Sequence, residues 1–204
     1  MENRKVKITG ILLAGGMSSR MGSEKGRMKL GNRNLYEYPL QVLEACCDEI
    51  LISTCNDSVI PAAYHRVCDE FRGIGPMGGI YTCLKYSSND LNVILSYDMP
   101  GVTVSLIKHL LKEVEAFDIV VPAQNPKQAE PLCGIYRKNA LAVFESCIQR
   151  NEFAVHKVLK LSKSKIVRID RHMSCWNPHL FININRVEDL ESLPSDFGNA
   201  LNEN

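Results

Sequence analysis

Apolar positions along the chain fall into short runs of strand length, separated by stretches with helical spacing. Four runs, 7–13 (KITGILL), 49–55 (EILISTC), 91–97 (LNVILSY) and 117–122 (FDIVVP), are β-branched and apolar through several successive positions. That is the pattern of strands covered by helices on both faces. Residues 105–116 (SLIKHLLKEVEA) place Leu106, Ile107, Leu110, Leu111 and Val114 on one stripe and Lys108, Lys112 and Glu115 elsewhere, which predicts a surface helix. Helices are also predicted over 35–48, where Pro39 fits only within the first turn, and over 76–86, opened by Pro76. Further on, the spacing predicts a short strand at 131–136, a helix from 138 to about 148, another over 154–161 and a strand at 165–169. Strand and helix in alternation imply an α/β fold with a mostly parallel, doubly wound sheet, whose ligand sites lie beyond the carboxyl ends of its strands. No linker rich in Gly, Ser or Pro divides residues 1–194, so one domain is expected, followed by a polar tail at 195–204 expected to fray.

Composition narrows the classes. The chain of 204 residues carries a formal charge of +1, which gives no general pull towards nucleic acid or membrane, so any charge logic must be local. The basic residues before the first apolar run are not followed by a cleavage site, and no stretch approaches the roughly 20 apolar residues of a membrane span, so a cytoplasmic location is expected. The eight cysteines contain no C-x-x-C pair, which argues against zinc-finger and thioredoxin chemistry and leaves reduced, buried thiols as the expectation.

Candidate chemistry concentrates after the first strand. Residues 13–26, LAGGMSSRMGSEKG, hold four glycines, three serines, Arg20 and Lys25. Glycines let a backbone approach a ligand closely, successive N–H groups around a turn form an anion nest, and the two cations suit a phosphate chain. A Walker A loop is excluded, because Lys25 is followed by Gly26 rather than by Ser or Thr. Residues 73–78, GIGPMG, satisfy G-x-G-x-x-G, and Asp98 lies twenty positions after the last of them. The match is a decoy for a dinucleotide site: the preceding HRVCDEFR is too charged for a first strand, and Pro76 lacks an N–H that a pyrophosphate needs. Pro76 instead opens a helix after a tight glycine turn. Two roles are open to Asp98 on its position alone, a ligand for Mg²⁺ at the end of a buried strand or a cap for the turn before Pro100. His172, Cys175 and His179 in HMSCWNPH lack an evident fourth zinc ligand and read as an ordinary loop anchored by Trp176. No Ser, His and Asp constellation with a nucleophile elbow is present.

Taken in order, LAGGMSSRMGSEKG, GPMGGI (75–80), SYDMP (96–100), EPLCGIYR (130–137) and FININRVEDL (181–190) closely resemble the MobA family of molybdenum cofactor guanylyltransferases. The ordered set spans nearly the whole chain and is far more specific than any one motif. The resemblance implies a Rossmann-like nucleotidyltransferase fold, with 1–125 binding the nucleotide and 126–194 the acceptor. It implies transfer of GMP from GTP to the terminal phosphate of molybdopterin, with release of pyrophosphate. By that similarity, Leu13, Ala14, Gly15, Gly16, Gly78 and Gly79 hold the nucleotide, Lys25 and Arg20 act on its phosphates, Asp69 lies near guanine and Asp98 binds Mg²⁺. Pro131, Asn183 and Asn185 fall on the acceptor side, the N-x-N pair of asparagines being expected near the pterin-bearing substrate or the metal. The LAGG form favours guanine over cytosine, whose enzymes tend towards LAAG or TAAG. Two departures stand out: Glu24 replaces the commoner Asp, and Arg186-Val187 replaces the usual Thr-Pro after N-x-N.

The expected substrates are thus GTP and molybdopterin, with transient contact to cofactor-biosynthesis or molybdoenzyme partners. Lys127, Arg137, Arg168 and Arg171 are candidates to receive the anionic acceptor, although each also reads as solvated surface. A molybdopterin cytidylyltransferase, a sugar-phosphate nucleotidyltransferase of the same fold and a binding module without chemistry are the alternatives.

Overall fold

A computed structural model of the chain describes residues 6–15, 28–55, 60–125 and 128–191, together with 193 and 197. Seven strands form one sheet in the order β5-β4-β1-β6-β8-β7-β9. They are β1 (Ile8–Leu13), β4 (Glu49–Ser53), β5 (His65–Val67), β6 (Leu91–Ser96), β7 (Ile119–Ala123), β8 (Cys133–Arg137) and β9 (Ser164–Arg168). A small separate hairpin pairs β2 (Lys29–Leu30) with β3 (Arg33–Asn34). The pairs β1–β4, β1–β6, β4–β5 and β7–β9 are parallel, while β8 runs antiparallel to both β6 and β7. The sheet is therefore mostly parallel, as the alternation of patterns predicts.

Successive side chains of a strand point to opposite faces. Leu12, Ile52, Val93 and Leu95 accordingly pack in one core with α1 (Glu37–Cys46) and α3 (Val104–Lys112). Ile11, Leu13, Leu51 and Ile94 pack in the other, with α2 (Pro76–Tyr86), α4 (Leu141–Gln149) and α5 (Val155–Leu161). Both faces being covered explains why the central strands read as unbroken apolar runs. A last short helix, α6, spans Val187–Glu191.

Local chemistry sets the ends of the helices. Pro39 is the third residue of α1, inside the first turn, where its missing N–H costs no helical bond. Pro76 opens α2 after Gly75, whose φ of 66° is one that residues with a Cβ rarely adopt. Thr103 caps α3 by accepting from the Leu106 N–H at 3.2 Å. Leu106, Ile107 and Leu110 of that helix are fully buried, the stripe that the spacing predicts.

The structure adds one strand and corrects two expectations. First, the charged stretch around 65–67, not a first strand, forms the edge strand β5, because an edge strand needs only one neighbour and leaves His65 exposed. Secondly, not all thiols are reduced: Cys55 and Cys68 are joined as a disulfide between the segments that follow β4 and β5, and both residues are exposed. Cys83, Cys133, Cys147 and Cys175 are the buried free thiols. Thirdly, the loop at 172–179 is anchored by Cys175, 4% exposed, whereas Trp176 lies at the surface at 36%. The tail at 195–204, residue 197 apart, lies outside the described residues.

Candidate functional site

Register aligns the ends of the central strands. Leu13 of β1 stands opposite Ser53 of β4 and Ser96 of β6, and Ser53 opposite Val67 of β5. Four parallel strands thus stop in one row, and their exits must deliver the next residues to the same rim. A cavity of about 490 Å³ opens there, lined by Leu13, Gly15, Ser53, Asp69, Gly73, Gly75, Pro76, Gly79, Ser96, Tyr97, Asp98, Leu132 and Asn185. Its size suits a nucleotide-like small molecule.

The carboxylate of Asp69 sits at one end. The Ser53 hydroxyl donates to Asp69 Oδ1 at 2.9 Å, and the Glu70 N–H just beyond donates to the buried Thr82 hydroxyl at 3.0 Å. A Cβ built on Gly79 would lie 2.5 Å from Ser53 Oγ and 3.4 Å from Asp69 Oδ1, so only glycine lets the first turns of α2 approach this pair. A Cβ on Gly15 would lie 3.7 Å from Asp69 Oδ2. Burial raises the Asp69 carboxyl above its ordinary value, partly offset by the Ser53 hydrogen bond and the Arg72 guanidinium.

A folded pKa above the unfolded value means that ionisation costs the native state, so this stability is present below about pH 3.9, the unfolded value, and falls as pH rises through the folded pKa. Asp69→Asn is therefore expected to melt at or above the parent temperature at pH 7, with the gap closing in acid. Thermal melts across pH check this. A lower melting temperature for the unliganded variant at pH 7 would contradict the burial argument.

Asp98 stands half-buried on the turn that leaves β6, and its backbone carbonyl accepts from the Ile184 N–H at 2.9 Å. That bond draws the C-terminal segment onto the rim and puts Asn185 at the cavity. The Asn185 and Arg186 N–H groups both donate to Asp189 Oδ2, at 2.7 and 2.9 Å, so the acid of α6 organises the turn ahead of it. Asn177 Nδ2 donates to the Gly101 carbonyl at 3.2 Å, a second clasp between the same segments.

The predicted residues divide clearly. Leu13, Gly15, Asp69, Gly79, Asp98 and Asn185 meet at the cavity. Ala14 is buried beneath it, its N–H donating to the Ser53 carbonyl at 3.0 Å. Gly78 does not line it: a Cβ there would lie 2.4 Å from the Phe71 carbonyl oxygen, so the glycine serves helix packing. Pro131 is buried, its carbonyl accepting from the Tyr136 hydroxyl at 2.6 Å, and the neighbouring Leu132 faces the cavity instead. Asn183 is exposed and does not line the cavity. Arg137 pairs with Asp90 beside Leu91, at the opposite end of the sheet, so the antiparallel course of β8 removes it as an acceptor ligand. Arg168 ends β9 at the same carboxyl end of the sheet but on its far edge, three strands from β6, and does not line the cavity; Arg171 follows it closely. Gly16, Arg20, Lys25 and Lys127 lie outside the described residues.

Sequence reasoning passed over Ser53. Its signal was available, a hydroxyl closing the apolar run EILIS at the carboxyl end of a strand.

Comparison with known proteins bears on this site. Residues 10–168 match the MobA-like NTP transferase domain. The chain is 33% identical over 187 residues to a probable molybdenum cofactor guanylyltransferase of Flavobacterium johnsoniae, covering 91% of this chain and 96% of the relative. It is 26% identical to the molybdenum cofactor guanylyltransferase of Campylobacter jejuni subsp. doylei, covering 91% and 95% of the two chains. Among solved structures, molybdopterin-guanine dinucleotide biosynthesis protein A of Archaeoglobus fulgidus superposes with a TM-score of 0.72 at 21% identity, covering 90% and 95%. The 2-C-methyl-D-erythritol 4-phosphate cytidylyltransferase of Thermus thermophilus superposes at 0.67 with 15% identity, covering 95% and 98%. At such identities the two superpositions speak for the fold alone.

Proposed function

The chain belongs to the MobA-like NTP transferase family, and from that membership we propose that it transfers GMP from GTP to the terminal phosphate of molybdopterin, releasing pyrophosphate. One observation carries the reading at the level of the site: a single cavity joins the turn after β1, the two acids Asp69 and Asp98, and Asn185 from the C-terminal segment. The guanylyltransferase relatives make guanine the preferred base and molybdopterin the preferred acceptor.

The chemistry asks little of the protein beyond position and charge. A phosphate oxygen of the acceptor is already a nucleophile at neutral pH, so no covalent group or strong base is required. It bonds to the α-phosphorus of GTP as the bond to pyrophosphate breaks, and the electron pair leaves with pyrophosphate. In this reading Asp69 accepts from N–H groups on the guanine edge, with Ser53 fixing its carboxylate. Gly15 and Gly79 leave room for the nucleotide against the backbone. Lys25 and Arg20 neutralise charge on the α-phosphate and the departing pyrophosphate. Asn185 and Leu132 border the side from which the acceptor attacks.

The donor set suits Mg²⁺. Asp98 offers a hard oxygen ligand at the cavity, and among the described residues no group of three or more His, Cys, Asp or Glu forms a protein cage. An ion that completes its shell with water and substrate phosphates needs no such cage. Bound there, Mg²⁺ would supply neutralisation of the polyphosphate. No helix among the described residues is long and apolar enough to cross a membrane, and the reading assigns the chemistry to the cytoplasm.

The test is to incubate the protein with each nucleoside triphosphate, Mg²⁺ and molybdopterin, following pyrophosphate and the product's mass. GTP with molybdopterin is expected to be the productive pair. Preference for CTP, or turnover with a sugar phosphate alone, would replace the reading by one of its relatives of the same fold. Tight binding with no pyrophosphate for any acceptor would make the protein a carrier.

A further inference from the structure

Two exposed half-cystines, Cys55 and Cys68, sit on the segments that carry the cavity residues Ser53 and Asp69. Cys55 follows Ser53 by two residues and Cys68 immediately precedes Asp69, so the disulfide ties together the two strand exits whose residues make the Ser53–Asp69 hydrogen bond. Inside the clasp, the Thr54 N–H donates to the Val67 carbonyl at 3.0 Å. An Arg72 N–H donates to Cys68 Sγ at 3.5 Å, and the same guanidinium lowers the carboxyl of Asp69. The bridge, the acid and the cation are thus one cluster. Buried structural disulfides resist reduction, whereas exposed ones beside a charged group are the labile and regulatory kind.

We propose that the Cys55–Cys68 pair is a thiol–disulfide exchange site, acted on by a small or protein-borne dithiol, and that its oxidised state holds the base end of the cavity in binding order. The proposal rests on the reading of this cavity as a nucleotide site. In the exchange, a thiolate of the dithiol bonds to Cys55 Sγ as the Cys55–Cys68 bond breaks, and the electron pair leaves on Cys68 Sγ beside Arg72. A thiolate with a cation next to it is the better leaving group, which selects Cys55 as the sulfur attacked. The second thiolate of the dithiol then attacks its partner sulfur in the mixed disulfide and releases Cys55. Two electrons and two protons pass in sum from the dithiol, which ends as its own disulfide, to the two cysteines. With the covalent tie gone, the segments beyond the β4–β5 ladder are held together by the Thr54–Val67 and Ser53–Asp69 hydrogen bonds, with the Glu70–Thr82 bond one residue further on.

The experiment measures GTP affinity of the full chain after oxidised or reduced dithiothreitol, with intact mass verifying each state. Reduction is expected to weaken GTP about tenfold, within the range usual for coupled sites. Cys55→Ser and Cys68→Ser are expected to show the weaker affinity in either buffer. By reciprocity, saturating GTP should make the disulfide harder to reduce by the same factor. Equal affinity in the two verified states, or a chain that forms no bond in oxidised dithiothreitol, overturns the proposal. Should GTP bind in neither state, the guanylyl reading fails and hydrogen exchange at the Thr54 amide decides the clasp separately. Faster exchange on reduction supports it, and unchanged exchange overturns it.

Discussion

Asp98→Ala is expected to lower kcat for guanylyl transfer about a hundredfold, the loss of roughly 3 kcal/mol of transition-state stabilisation typical when one charge-directing group is removed. The side chain stands half-buried at the carboxyl end of β6, while the bond from the Ile184 N–H to the Asp98 carbonyl is made by the backbone and survives the substitution. The variant should therefore melt close to the parent temperature and still bind GTP. Turnover at the parent rate under saturating Mg²⁺ would remove Asp98 from the metal role. An equal loss of turnover and of melting temperature would reduce it to a turn residue before Pro100.

Gly101→Ala is expected to damage the acceptor side and spare the nucleotide side. A Cβ at Gly101 would lie 2.0 Å from the His179 carbonyl oxygen and 2.8 Å from its carbon, both backbone atoms that cannot turn aside. The C-terminal segment must then move away from the turn after β6, straining the Asn177 bond to Gly101 and the Ile184 bond to Asp98. Overpacking of this kind costs about 1–3 kcal/mol, and it acts on the segment that presents Asn185. The expected outcome is a lower melting temperature with KM for molybdopterin raised about tenfold or more, 1.4 kcal/mol being a factor of ten, and GTP affinity nearly unchanged. A parallel fall in GTP affinity would show that the two halves of the cavity are not separable.

Much of this was legible in the chain because burial on both faces of a sheet writes itself as apolar runs. The cores that receive Ile11, Leu12, Leu51 and Ile52 left a β-branched signature that could be read without coordinates. Pro76 likewise announced the start of α2, since its fixed φ and missing N–H suit a first helical position. β5 was hidden because an edge strand pairs on one side only, and its charges carry no penalty at the surface. Its concealment also hid the partnership of Cys55 with Cys68, which requires β4 and β5 to be neighbours.

At the site, acids on strand exits were readable, whereas the orientation of the glycines was not. Gly78 and Gly79 are adjacent letters, yet one meets the Phe71 carbonyl and the other the Ser53 hydroxyl. A helix turns about 100° between neighbours, so which of the pair faces a ligand depends on how α2 is rotated against the sheet. The choice between an acceptor ligand and a solvated surface residue for Arg137 stayed open for a related reason, since periodicity finds strands but not their direction.

The reversed course of β8 gives the acceptor side an independence of its own. Among the seven strands of the sheet it alone meets the cavity with its beginning, through Leu132 beside Cys133. The turn that brings the chain back from β7 to that starting point can therefore change in length or composition without altering the row formed by Val67, Ser53, Leu13 and Ser96. On the proposed reading, varying that one turn would change the acceptor while the grip on the nucleotide stays as it was.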